Sequence, residues 1–139
     1  MMPPDEIRRQ FLMEWLTKAH EDREVAHYLL DTEVPYLGII GFHAQQAVEK
    51  YLKAYLVWKQ VEFPKTHNIE QLLDIIATCN SSLALSLHQA IILTDYAVEA
   101  RYPGNLPELT PKEAAGAVGL ADMTYAEVMD ALKDIITPC

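Results

Sequence analysis

From Ile7 onward apolar residues recur mostly three, four or seven apart, at Ile7, Phe11, Leu12, Trp15, Leu16, Ala19, Ala26, Leu29 and Leu30, with charges between them. That spacing predicts a long amphipathic helix ending near Asp31-Thr32. Pro35 suits the first turn of a second helix, because proline lacks only a donor that has no partner there. This helix is expected to run to about Gln60, with Ile40, Ala44, Ala47, Val48, Tyr51, Leu52, Tyr55 and Trp58 on its apolar side. Gln46, Glu49, Lys50 and Lys53 fall within one separate stripe of about 100°. Asn68 with Gln71 three residues on predicts an N-cap and a short helix over 69–78. Asn80-Ser81-Ser82 then marks a break, and a fourth helix is predicted from about Leu83 to Ala100, burying Leu83, Leu87, Ile91, Leu93 or Thr94, and Val98. Residues 101–109 hold Pro103, Gly104 and Pro107 and read as a loop. Thr110-Pro111-Lys112-Glu113 supplies a cap, a first-turn proline and the glutamate of a capping box. The fifth helix follows with Ala114, Ala117, Val118, Ala121, Tyr125, Val128, Met129 and Leu132, and Pro138 lies past its end. Gly116 and Gly119 weaken that helix unless a neighbour packs closely there. No strand-like alternation occurs, so the fold class is all-α, a helical bundle of about five helices.

Length adds one constraint: 139 residues, half of them apolar, suit a single domain over 1–139 with its core at about 8–136. No uninterrupted apolar run approaches the roughly 18 residues of a membrane span, and Met1–Asp5 lacks a basic leader region. The expected location is the cytoplasm, with no membrane partner. Cys79 and Cys139 are too few for a disulfide framework or a four-cysteine zinc site and are expected to be reduced thiols.

Charge sharpens the reading. The net charge of −9 opposes broad binding to a DNA backbone, where each neutralised phosphate needs a cation from the protein. Residues 43–67 nevertheless carry a local balance of +2 through Lys50, Lys53, Lys59 and Lys65 against Glu49 and Glu62. Gln46, Lys50 and Lys53, with Lys65 and His67 on the next loop and Arg101 further on, could converge on an anion such as a phosphate. They could equally be ordinary solvated lysines, with Glu49 and Lys53 paired at i and i+4. His20, Glu24 and His27 have acceptable metal-ligand spacing but no supporting ligand, and read as a solvated stripe without a metal. No G-x-S-x-G, glycine-rich phosphate loop or Cys/His nucleophile pattern is present.

Three segments together carry a resemblance. They are Phe42-His43-Ala44-Gln45-Gln46-Ala47-Val48-Glu49-Lys50-Tyr51-Leu52-Lys53-Ala54, then Lys65-Thr66-His67-Asn68-Ile69 with Leu72, then Tyr96-Ala97-Val98-Glu99-Ala100-Arg101-Tyr102-Pro103. The chain resembles the HEPN (higher eukaryotes and prokaryotes nucleotide-binding) family from about Trp15 to Leu132. The resemblance implies a five-helix, up-and-down bundle that usually forms a homodimer with a cleft between subunits. It also implies association with nucleotides or RNA, and, for small members, a minimal nucleotidyltransferase as protein partner in a two-component, toxin–antitoxin-like system.

Catalytic members are metal-independent ribonucleases with an arginine followed, after four to six residues, by a histidine. The imidazole works as acid and base while the guanidinium stabilises phosphate charge. Arg101 is the natural candidate for the arginine, but the three positions open to the histidine hold Leu106, Pro107 and Glu108. Arg23 and His27, with three residues between them, also miss the pattern. No catalytic residue is therefore assigned, and catalysis by the chain itself is not expected. The nucleotide-binding set is Gln46, Glu49, Lys50, Lys53, Lys65, His67, Tyr96, Arg101 and Tyr102, with ATP or another nucleotide as ligand and Tyr96 or Tyr102 stacking on a base. Two alternatives stand beside it: a homodimeric interaction module in which Glu49 and Lys50 only hold structure, and a divergent ribonuclease drawing on His67.

Overall fold

Apolar stripes need partners, and α2 (Leu37–Trp58) supplies the surface against which the other helices bury theirs. In this computed structural model, which describes residues 4–99 and 109–133, α1 (Pro4–Asp31) packs along α2, and α6 (Pro111–Ala131) packs on both. Contacts of Asp22 with Lys50 and of Arg8 with Trp58 make α1 and α2 antiparallel. Arg23 with Asp122 and His20 with Tyr125 make α6 antiparallel to α1. Helices α3 (Ile69–Ala77), α4 (Ser81–Ser86) and α5 (Thr94–Glu99) fill the remaining side, with a 3-10 helix over His88–Leu93 between the last two. Among the described residues there is no strand, and no helix is long and apolar enough to cross a membrane.

All eight apolar residues predicted for α2 are buried, and so are Leu12, Leu16, Ala19 and Ala26 of α1, whereas Phe11 is half exposed. The two largest fully buried side chains are Tyr51 and Tyr55, and each phenol has a polar partner. Tyr51 Oη lies 2.6 Å from His20 Nδ1, and Tyr55 Oη accepts from Asn80 Nδ2 at 3.1 Å. A buried hydroxyl without a partner would offset much of what the ring contributes.

The predicted starts at Asn68 and Thr110 are present, whereas α2 begins at Leu37 with Tyr36 as its N-cap, so Pro35 precedes the helix instead of sitting in its first turn. Asn68 accepts from Gln71 N–H at 3.0 Å, and Thr110 and Glu113 form both halves of the capping box behind Pro111. Two helix ends use a device that the sequence does not advertise. After α1 and α2, Glu33 and Gln60 take φ of 53° and 59°, the left-handed region that favours glycine. At the second, Gln60 N–H reaches Val57 O and Val61 N–H reaches Leu56 O, satisfying two terminal carbonyls.

The predicted fourth helix differs most. Its continuous 83–100 span is divided into α4, the 3-10 turn and α5. Leu87, Ala90, Leu93 and Tyr96 are buried, a spacing of three that suits the 3-10 repeat, while Ile91 is only partly buried. The side chain of Val98 and residues 100–108 lie outside the description. Gly116 and Gly119 have no heavy atom within 4 Å of where a Cβ would sit, so no neighbour packs closely against them. Cys79 is disulfide-bonded rather than a reduced thiol; the other cysteine in the chain, Cys139, lies outside the described residues.

Candidate functional site

Because α2 is enclosed on nearly every side, its polar stripe is forced into the interior and must be satisfied there. Glu49 is 3% exposed and acts as the hub. Its carboxylate accepts from Lys53 Nζ at 2.8 Å, from Gln45 Nε2 at 3.0 Å and from Gln46 Nε2 at 3.4 Å. His67 Nδ1 stands 2.9 and 3.1 Å from the two carboxylate oxygens. Lys53 is buried as well, with its ammonium 5.6 Å from the Trp15 ring centre and 5.9 Å from that of Phe63. The aromatic faces add attraction for the cation where water is excluded.

Gln45 was not among the predicted site residues, yet it is fully buried and also donates to the His67 carbonyl at 3.3 Å. Its signal was the i, i+4 spacing to Glu49, which puts an amide one turn from the carboxylate.

The geometry determines how His67 is held. An ionised carboxylate only accepts, so the proton between His67 and Glu49 sits on Nδ1, and Nε2 is the ring nitrogen left for another partner. The His67 side chain is 68% exposed, which leaves that edge toward solvent. Lys65, two residues earlier, is exposed too. Ile69 N–H donates to Thr94 Oγ1 at 3.1 Å, tying the start of α3, next to His67, to the start of α5. Tyr96 and Leu109 both press on Gly41, one turn before Gln45: a Cβ there would lie 2.6 Å from Leu109 Cδ1 and 3.2 Å from Tyr96 Cδ2. Residues flanking the 100–108 segment on both sides are thus anchored on α2 beside the polar stripe.

The predicted residues therefore divide. Gln46, Glu49, Lys53 and His67 meet in one cluster. Lys50 points instead to α1, where Asp22 takes its Nζ at 2.5 Å and His43 Nδ1 at 2.9 Å. Burial raises the Asp22 carboxyl, but hydrogen bonds and charge from His43 and Lys50 outweigh it and hold the group below its ordinary range. Tyr96 is buried at 8% exposure against Gly41. Arg101 and Tyr102 lie outside the described residues.

The stripe on α1 is not solvated as expected. Arg23 Nε and His27 Nε2 both reach Asp122 Oδ1 of α6 at 2.7 Å, and the Arg23 guanidinium lies 4.2 Å from the centre of the Tyr125 ring. Only Glu24 of the expected trio is exposed. Burial and then the Arg23 charge lower the His20 pKa, with a weaker opposing effect from Glu24, and burial raises that of Tyr51. Asp122 had no sequence signal, since its partners stand about a hundred residues away. Among the described residues no group of three His, Cys, Asp or Glu side chains is placed to hold a metal.

The family profile described as HEPN domain matches residues 12–133. The chain belongs to the HEPN family. Among solved structures, the archaeal HEPN homologue ST0689 superposes with a TM-score of 0.69 at 23% identity, covering 87% of this chain and 97% of its own. TT1696 from Thermus thermophilus superposes with a TM-score of 0.69 at 26% identity, covering 86% and 96%. No curated protein matches the chain. The HEPN profile spans the whole Glu49 cluster, so the paired glutamines, Glu49, Lys53 and His67 belong to the domain itself.

Proposed function

We propose that this HEPN protein is a nucleotide-binding component that works as a homodimer with a minimal nucleotidyltransferase in a two-component, toxin–antitoxin-like system, without catalysis of its own. The observation that carries the nucleotide reading is His67, fixed through Nδ1 by a buried carboxylate while its other edge faces solvent. Lys53 already balances the Glu49 charge, so the exposed Lys65, two residues from His67, adds net positive charge at the surface of an acidic chain. Phosphate oxygens suit such donors. Arg101 and Tyr102 complete the proposed set, one for charge and one for stacking. Lys50 supports it indirectly, by locking α1 to α2 through Asp22. The partner and the dimer rest on the family resemblance.

A thermal-shift titration against ATP, other nucleotides and short RNA tests the reading, with Lys65→Ala and His67→Ala as controls. A ligand at about a hundred times its dissociation constant raises stability by about 2.7 kcal/mol. The expected shift occurs in the wild type and is lost in both variants; no shift with any ligand contradicts the reading. Copurification with a minimal nucleotidyltransferase and light scattering test the partner and the dimer.

One observation favours the interaction-module alternative: Glu49 is satisfied by Lys53, Gln45 and His67, all groups of the chain itself. That reading requires nucleotides to leave the melting midpoint unchanged. The divergent-ribonuclease alternative requires RNA cleavage that disappears in Arg101→Ala and His67→Ala.

A further inference from the structure

The other cations that reach into the helix interfaces each hold a carboxylate: Arg23 has Asp122, Lys50 has Asp22 and Lys53 has Glu49. Arg8, in the second turn of α1, does not. It is 8% exposed, and among the described residues no carboxylate stands within ion-pair distance of it. Its guanidinium carbon lies 4.4 Å from the centre of the Trp58 ring, at the end of α2, and Trp58 is also 8% exposed. Arg8 Nε and Trp58 Nε1 are both buried, and both lack an acceptor among the described residues. Buried donors without partners are rare because each forfeits its bonds to water, and here two occur on side chains in cation–π contact. Lys59, the next residue, places its ammonium 5.8 Å from the Tyr55 ring centre and has no carboxylate partner among the described residues, adding positive charge at the same end of α2.

We propose that Arg8 and Trp58 form an oxyanion site that takes a phosphate or carboxylate group. Guanidinium and indole N–H groups donate and never accept, so the missing partner must be an acceptor, and the uncompensated charge selects an anion. Burial and the contact with the indole face hold the guanidinium in place, so little side-chain freedom remains to be lost when an oxyanion meets its N–H groups. The site is separate from the Glu49 cluster. Trp58 follows Glu49 by nine residues, about 13 Å along the helix and half a turn around it. Failure of the nucleotide reading leaves this proposal untouched, and the reverse.

The sequence holds two tryptophans, so Trp15→Phe in the full chain leaves Trp58 as the sole indole reporter. Its emission is followed during titration with inorganic phosphate and, separately, with acetate, at ionic strength held constant with chloride. The expected result is a saturable change, weakened at least tenfold by Arg8→Lys and absent in Arg8→Gln. Saturation by phosphate alone assigns a phosphoryl ligand, and saturation by acetate as well assigns a carboxylate-type one. No saturable response to either anion, or the same response in Arg8→Gln, overturns the proposal. Trp58→Phe keeps the stacked ring and removes the indole donor, and its thermal midpoint should rise less with phosphate than that of the wild type. An equal rise overturns the role of Trp58, whether or not Arg8→Gln folds.

Discussion

Glu49→Gln removes one charge and almost no volume from the centre of the bundle. Glu49 and Lys53 are 3% and 9% exposed, so the substitution leaves a buried ammonium without its counter-ion. Breaking such a pair costs about 3–5 kcal/mol. The Trp15 and Phe63 rings stay beside Lys53 and glutamine keeps an acceptor for it, which places the loss at the lower end, near 3 kcal/mol. An unfolding entropy of about 2.1 cal/mol/K per residue gives about 0.3 kcal/mol/K for 139 residues, so the melting midpoint should fall by about 10 °C. Circular dichroism melts, with urea unfolding as a check, measure both quantities. The second arm is Lys53→Met, alone and combined with Glu49→Gln. Removing both charges should recover most of the loss, giving a coupling of about 2 kcal/mol or more in the double-mutant cycle. A Glu49→Gln midpoint within about 3 °C of wild type, with additive effects in the cycle, would refute the hub.

Further predictions concern pH, packing and helix ends. His20 titrates below its ordinary value in the native state, so the unfolded chain binds the proton more readily; stability should fall as pH drops through about 6.5, and His20→Gln should flatten that part of the profile. Asp22 is likewise held below its ordinary value, here by hydrogen bonds and charge from His43 and Lys50 that outweigh burial, so its contribution is present above about pH 4 and is lost below it, as acid unfolding of Asp22→Asn against wild type should register. Gly41→Ala should cost about 1–3 kcal/mol through the clash with Leu109 and Tyr96, with Leu109→Ala relieving part of it in a double-mutant cycle. Gly116→Ala, in open space on an exposed helix face, should stabilise by up to about 1 kcal/mol, and Gln60→Gly, at a left-handed position, by about 0.5 kcal/mol. Denaturant melts read both; destabilisation by either contradicts the backbone account.

Which features were legible in the sequence depended on how local their cause is. The caps at Asn68 and Thr110 depend on residues three apart, and the apolar faces of α1 and α2 on spacing within one helix, so both were readable. The stretch 87–96 was not, because a repeat of three and one of 3.6 share most positions over two turns, and only burial of Leu87, Ala90 and Leu93 separates them. Glu33 and Gln60 carry no glycine signal at all. For the candidate site, Gln46, Glu49 and Lys53 were visible as one stripe, but a stripe does not tell which neighbour each side chain chooses. Lys50 is adjacent to Glu49 in sequence and turns to Asp22 on another helix, while Gln45, expected on neither face, completes the cluster. The Arg23–Asp122 and His27–Asp122 pairs link opposite ends of the chain and exist only once α6 lies on α1.

The most direct test of the central claim is nucleotide affinity measured by calorimetry for the wild type, His67→Ala and Lys50→Ala. The account predicts binding in the wild type, a loss of at least tenfold in His67→Ala, and a smaller change in Lys50→Ala, whose pairing with Asp22 is structural. No binding to any nucleotide, or affinity that survives His67→Ala unchanged, would contradict it.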